Sequence, residues 1–345
     1  MASGVMTRAS PNRRGALGAM FALGAAASAP AERAEASVGS AEPAQRSGPK
    51  VWGDLDQQAL DAAYDQSVWA PNLIQVVTRY ITNSEGMRAR LGEPKTIAYG
   101  PGRAERLHIY RTDRPDAPIF VFIHGGAWRS ATAEDYAFPA EMVMAAGAHF
   151  IGVDFDHVQD VGGDLYVVAA QVRRALAFVH QAAPTFGGDR TQIFVGGHSS
   201  GGHLTAVLLT TDWAGLGLPA DVIKGAICLS GLYDLTPVRL SSRAAYIRFN
   251  DAMVADLSPL RHVDRVGAPV FVVCGSFDSP EFIRQARGFA DALGRAGKPV
   301  QRFGAEGYNH FELMETAANP FGAAGRLLLS QMNLRAGEGL CLAGS

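Results

Sequence analysis

The run Ile193-Phe194-Val195-Gly196-Gly197-His198-Ser199-Ser200-Gly201-Gly202-His203-Leu204 decides how this chain is read. Ile193, Phe194 and Val195 are the apolar, β-branched and aromatic residues that favour a buried strand. From Leu204 to Leu209 the apolar residues suit a helix. Between the two, Gly197 and Gly201 flank Ser199, each two residues away. The pentapeptide fits G-x-S-x-G, a weak signal on its own. Its setting after a strand and before a helix makes it specific. The turn must be tight, so side chains next to the serine would clash, and glycine removes them. Such a turn lifts the serine hydroxyl above the sheet edge. The helix behind it offers unpaired backbone N–H groups to developing negative charge. Ser200 is a second hydroxyl, but only Ser199 has glycines at both of those spacings.

Outward from this run, apolar strand-like segments alternate with helix-length amphipathic ones. Strands are expected at 95–99, 106–112, 118–123, 149–153, 192–196, 225–230, 269–274 and 299–303. Helices are expected at 133–146, 164–184, 200–211, 281–295 and 322–333, after one or two helices within 55–92 that Pro71 interrupts. Continuous apolar strands separated by helices imply a mostly parallel sheet covered on both faces. Residues 235–265 form a longer insertion, carrying Tyr246, Phe249 and Met253, that reads as a small helical lid. No internal repeat is visible.

Two further segments fall where strands end. His124-Gly125-Gly126-Ala127-Trp128 follows the strand at 118–123. The amides of Gly125 and Gly126, with that of Ser200, suit an oxyanion hole. His124 reads as structural. Asp278 follows the strand at 269–274, and His310 follows the last strand in the polar loop Gly307-Tyr308-Asn309-His310. A serine hydroxyl needs a base, and that base needs an acid to hold its tautomer. The order Ser199, Asp278, His310 is that of an α/β-hydrolase fold. Glu281 competes with Asp278 for the acid. However, Ser279 reads as an N-cap and Pro280 as the first helical residue, so Glu281 already serves a helix N-terminus. Most of the nine histidines, such as His108, His149 and His180, read as packing or surface residues, and His203 as a brace behind the turn.

Composition narrows the classes. Hydrophobic residues make up 48% of the 345, charged residues 19%, and the formal net charge is −2. No Lys/Arg run exists in the part expected to fold, which argues against a nucleic-acid partner. No apolar stretch is long enough to span a membrane. Cys228 and Cys274 sit in strand-like runs and read as buried thiols, and no Cys/His spacing suits a metal. Residues 1–31 carry Arg13-Arg14 before a mild Ala/Gly-rich run and small residues near Ala29, which resembles a twin-arginine export signal. A disordered extension or an organelle transit peptide would share these features. Export implies a periplasmic or secreted protein. Residues 32–52 read as a linker, 53–335 as the folded domain and 336–345 as a tail.

The motifs together resemble the arylformamidase-like (kynurenine formamidase-like) esterases of the α/β-hydrolase superfamily. The resemblance rests on 124–128, 197–203, Ser230-Gly231-Leu232-Tyr233-Asp234-Leu235, Asp278-Ser279-Pro280-Glu281-Phe282 with Arg284-Gln285, and Asn309-His310-Phe311. Alanine at 127 and serine at 200 stand where the family often has an aromatic residue and alanine. The resemblance implies cofactor-free hydrolysis of an N-formyl arylamine or a small carboxylic ester, with acyl groups from formyl to butyryl. A non-catalytic binding protein and a peptidase of the same fold are the alternatives.

Overall fold

In the computed structural model, which describes residues 48–336, the alternating segments assemble around one extended sheet. A short hairpin, β1 (Lys50–Trp52) with β2 (Leu55–Asp56), comes first. The main sheet then takes β3 (Lys95–Ala98), β4 (Arg106–Tyr110), β5 (Ala117–Ile123), β6 (His149–Val153), β7 (Gly188–His198), β8 (Ile223–Leu229), β9 (Val270–Gly275) and β10 (Val300–Ala305). Their order is β10-β9-β8-β7-β5-β6-β4-β3. All neighbours from β10 to β6 run parallel, while β4 pairs antiparallel with both β6 and β3. Every residue of β5 and β6 is buried, as expected of central strands covered on both faces. The edge strands differ: β10 and β3 are largely exposed and carry Arg302 and Lys95, charges that discourage further pairing. This is the expected α/β-hydrolase fold, a mostly parallel sheet flanked by helices.

The helices lie close to their expected places. Leu165–Ala182 buries Leu165, Val168, Ala169, Val172, Leu176 and Val179, one face at helical spacing. Pro280–Arg295 and Ala323–Gln331 also pack on the sheet, against β9 and β8. One expected helix, 133–146, shrinks to Ala140–Ala145. Pro139 has no N–H to donate to the carbonyl of Asp135, so a continuous helix across it loses a rung. Thr132 and Asp135 instead close a turn on each other. The segment 55–92 becomes Gln57–Tyr64, Gln66–Trp69 and Leu73–Leu91. The extra break comes from Asp65, whose carboxylate caps the second piece by accepting from the Ser67 N–H.

The insertion between β8 and β9 is a chain of short turns of helix: Leu235–Leu240, Ser242–Ala245, Asp251–Asp256 and Pro259–Arg265. The expected linker ends earlier than residue 52, because Lys50–Trp52 is paired strand. The expected export signal, residues 32–47 of the linker and residues 337–345 of the tail lie outside the described residues. Among those described, no helix is long and apolar enough to cross a membrane.

Candidate active site

Strand β7 runs between β5 and β8 and ends at His198. Ser199 then takes φ 56° and ψ −120°, and the helix Ser200–Leu209 starts at once. A non-glycine residue at positive φ is strained by roughly 1–3 kcal/mol and persists only where its surroundings force it. Here the Ser199 N–H is tied to the Leu229 carbonyl at 2.9 Å, and glycine supplies the room. A Cβ on Gly197 would sit 2.4 Å from the Gly201 carbonyl oxygen, and one on Gly201 would sit 2.0 Å from that of Ile123. The two glycines of the motif are therefore the price of bringing the turn against the end of β5.

The loop after β5 lies against this turn. Gly126 (φ 104°), Ala127 (φ 54°) and Trp128 (φ 59°) are three consecutive positive-φ residues. The Gly126 carbonyl accepts from the N–H groups of Arg129 and Ser130, both at 3.0 Å, which closes the loop. A Cβ on Gly125 would meet the Tyr136 hydroxyl at 2.9 Å and His198 at 3.1 Å, so this glycine abuts the residue before Ser199. Ser200 opens the helix; its side chain is fully buried and its Oγ has no hydrogen-bond partner. Gly125 thus lies against His198 and Ser200 directly follows Ser199, while Gly126 turns towards Ser130 in the same loop.

His124 stacks on Phe155, ring centroids 4.4 Å apart, and its Nδ1 bonds the Gly125 carbonyl at 2.8 Å. Burial holds the His124 imidazole below its usual pKa, which keeps it neutral. His203 accepts from Trp128 Nε1 at 3.2 Å and bonds the Leu257 carbonyl at 2.8 Å. Burial lowers its pKa to about 4. It ties the elbow helix, the glycine loop and the insertion into one unit.

Asp278 and His310 meet at the ends of β9 and β10. His310 Nδ1 lies 2.8 Å from Asp278 Oδ1, and both side chains are buried. Gly275 permits this approach, since a Cβ there would lie 2.2 Å from the Tyr308 carbonyl oxygen. Asn309 caps the helix His310–Glu315, with Glu312 returning the bond as a capping box. A carboxylate accepts hydrogen bonds, so the Nδ1 partner is a donor and His310 Nε2 carries the lone pair. That is the tautomer a general base needs. Glu281 is engaged elsewhere: Arg284 grips it at 2.7 and 2.8 Å, and the Tyr64 hydroxyl donates to it at 3.1 Å. Ser279 caps the helix that follows and Pro280 is its first residue.

Two residues escaped the reading by motif. Ser230 Oγ donates to Asp278 Oδ2 at 2.5 Å, and the Gly275 N–H donates to the same oxygen at 2.9 Å. His198 bonds the His310 carbonyl through Nε2 at 2.8 Å, with ring centroids 4.7 Å apart. Burial first, then the neighbouring His310, pushes the His198 pKa well below its usual value. His198 is therefore a neutral clamp that holds His310 beside the Ser199 turn. Neither role has a local sequence signal. Among the described residues, no group of three or more His, Cys, Asp or Glu side chains could hold a metal ion.

Known proteins resemble this chain in sequence and in fold. The family model described as BD-FAE matches residues 107–215, which hold the glycine loop and the serine turn. The chain is 26% identical to the kynurenine formamidase of Danio rerio and 28% identical to that of Salmo salar. Each match covers 81% of this chain and 98% of the relative. An esterase of Pyrobaculum calidifontis superposes with a TM-score of 0.62 at 20% identity, over 80% of this chain and 97% of its own. By sequence the chain is similar to kynurenine formamidases, and by structure it has the α/β-hydrolase fold of esterases.

Proposed function

We propose that the chain is a serine hydrolase that cleaves a small carboxylic ester or an aryl amide through an acyl-enzyme. The observation that carries this reading is the Asp278–His310 pair, buried at 2.8 Å and clamped through His198 beside the strained Ser199 turn. In the reaction, Ser199 Oγ attacks the substrate carbonyl and His310 Nε2 takes its proton. The imidazolium so formed is stabilised by Asp278. Charge developing on the carbonyl oxygen is met by the amides of Gly125, Gly126 and Ser200. The tetrahedral adduct collapses, the leaving alcohol or arylamine takes the proton back from His310, and the acyl group stays on Ser199. Water then enters, gives a proton to His310 and attacks the acyl carbon; the bond to Ser199 Oγ breaks, Oγ takes that proton back from His310, and the acid is released. None of these steps calls on a cofactor. The small-molecule hydrolases among its relatives support the substrate class, and the short insertion supports compact acyl groups, formyl to butyryl. The paired arginines support export as the place of action.

The test is a panel on the purified full chain: N-formyl-kynurenine, formanilide, and nitrophenyl esters from acetate to dodecanoate. Turnover of formyl or short acyl substrates, surviving exhaustive chelation, is the expected result. Faster turnover of the long-chain esters would contradict the size assignment, and loss of all activity on chelation would contradict the triad.

A further inference from the structure

Tyr136 lies between the glycine loop and the helix Ala140–Ala145, in a segment that the proposed reaction does not use. It is only 5% exposed. Its ring stacks on Phe122 at 6.1 Å and meets that of Tyr80 edge-on at 5.1 Å. Among the described residues, its hydroxyl meets one hydrogen-bonding atom, His198 Nδ1, at 3.4 Å. Burial pushes the pKa of this phenol up, so it keeps its proton and can donate. Gly125 marks how closely the two groups are packed. A Cβ there would lie 2.9 Å from the Tyr136 hydroxyl and 3.1 Å from His198 Nδ1, so any side chain would press into their contact. Glycine at 125 thus serves this contact as well as the proposed oxyanion hole.

Chemistry sets the direction of each bond. His198 Nε2 lies 2.8 Å from the His310 carbonyl, and a carbonyl only accepts. Nε2 therefore carries the proton. In a neutral imidazole Nδ1 is then left with a lone pair and can only accept. The group at hand to donate is the Tyr136 hydroxyl. One line of hydrogen bonds thus runs from the Tyr136 hydroxyl to His198 Nδ1, and from His198 Nε2 to the His310 carbonyl. The other tautomer would turn a lone pair towards that carbonyl and repel it. Tyr80 grips the next residue, its hydroxyl donating to the Phe311 carbonyl. Two touching tyrosines therefore reach the first two residues of the helix His310–Glu315, one directly and one through His198.

We infer that Tyr136 is a positioning residue: its hydroxyl fixes the tautomer of His198, and that tautomer holds the His310 backbone beside the Ser199 turn. The effect on turnover rests on the hydrolase reading above. Tyr136 touches neither substrate nor reacting atoms and acts through His198 alone. Without its donor, the buried Nδ1 is left unmet, which favours the tautomer that lets His310 go. The packing of the ring is a separate contribution, and phenylalanine at this position keeps it.

The test joins kinetics to a direct view of the imidazole. In the full chain carrying isotopically labelled histidine, nitrogen NMR places the ring proton of His198 on Nδ1 or Nε2. The unaltered protein should carry it on Nε2, and Tyr136→Phe should move part of the population to Nδ1. A proton on Nδ1 in the unaltered protein overturns the inference, and so does a proton that Tyr136→Phe leaves in place. On nitrophenyl acetate, Tyr136→Phe should lower kcat by about tenfold with KM little changed, the size of one hydrogen bond. His198→Leu removes both bonds of the line. In that background Tyr136→Phe should change kcat by less than about twofold, because nothing remains for the hydroxyl to fix. An equal loss in both backgrounds would make Tyr136 a packing residue and overturn the inference. Should the leucine variant fail to fold, the spectra of the unaltered protein and of Tyr136→Phe decide alone. A proton on Nε2 that moves with Tyr136→Phe, in a protein that hydrolyses nothing in the panel, would keep the inference and discard the hydrolase reading. Hydrolysis with an unmoved proton would do the reverse.

Discussion

The serine turn and the insertion at 235–265 are built in opposite ways. The turn is determined locally. Gly197 and Gly201 stand within two residues of Ser199, and each has a backbone oxygen where its Cβ would be. The insertion has local caps at Asp234, Ser241 and Asn250 but no glycine-forced backbone to fix its course. Its helices run for only four to seven residues, too short to be stable alone. It is held by Gln285 from the helix after β9 and by its own Ser258, which ties its first residue to its later turns. Gln285 accepts the N–H groups of Tyr233 and Asp234 at 2.6 and 2.8 Å at its entry. Buried Ser258 receives the Leu235 N–H at 2.9 Å and donates to the Val254 carbonyl at 2.6 Å. The comparison teaches that the proposed reacting centre is set by strand ends and their glycines, whereas the insertion is set by contacts between residues far apart in sequence. Changes at the strand ends should strike turnover, and changes in the insertion should strike stability.

The largest effect should come from the acid. Asp278→Asn should lower kcat by about 10⁴, because an amide favours the wrong histidine tautomer, as in the serine protease from which that figure comes. Glu281→Gln should cost far less, and a reversal of the two losses in folded proteins would move the acid to Glu281. Next comes a pH effect that runs through the joint between the two regions. The His203 pKa falls from 6.5 to about 4 on folding, so the unfolded chain binds a proton there that the folded chain refuses. This contribution is present above pH 6.5 and lost as the pH falls towards 4. It is worth about 3 kcal/mol by linkage. Urea titrations across that window should show a shallower loss in His203→Gln than in the parent. An identical slope would remove His203 from the account. Ser258→Ala should then cost about 1–3 kcal/mol by leaving the buried Leu235 N–H unmet. Hydrogen exchange should quicken across 235–265 and stay unchanged in β7, and equal quickening in both would erase the contrast. Smallest is Ser230→Ala. One of the donors on Asp278 Oδ2 is lost, so kcat should fall by about tenfold with KM little changed, in line with one charged hydrogen bond. A fall confined to KM would show that Ser230 touches substrate instead.

What could be read from the sequence follows the same division. The turn, the glycine loop and the chain order of Ser199, Asp278 and His310 all depend on neighbours within a few residues, so spacing reveals them. The helix expected over 133–146 failed because Pro139 and the Thr132–Asp135 turn outweigh apolar periodicity there. Ser230, Tyr136 and His198 act through partners 48, 62 and 112 residues away. No window of sequence contains such a pair. A serine between an apolar strand and a glycine has no special character until Asp278 arrives beside it. A tyrosine shortly before Pro139 reads as ordinary packing until His198 arrives at its hydroxyl.

The claim on which everything else depends is that Ser199, and not its neighbour, is the nucleophile. Both hydroxyls lie in one tryptic peptide region, so the direct measurement is mass spectrometry of the full chain after reaction with a fluorophosphonate. The account predicts one adduct, on Ser199, lost together with turnover in Ser199→Ala. It should be retained in Ser200→Ala, whose Oγ is buried at the start of the helix. An adduct on Ser200, or stoichiometric labelling and turnover in Ser199→Ala, would contradict it.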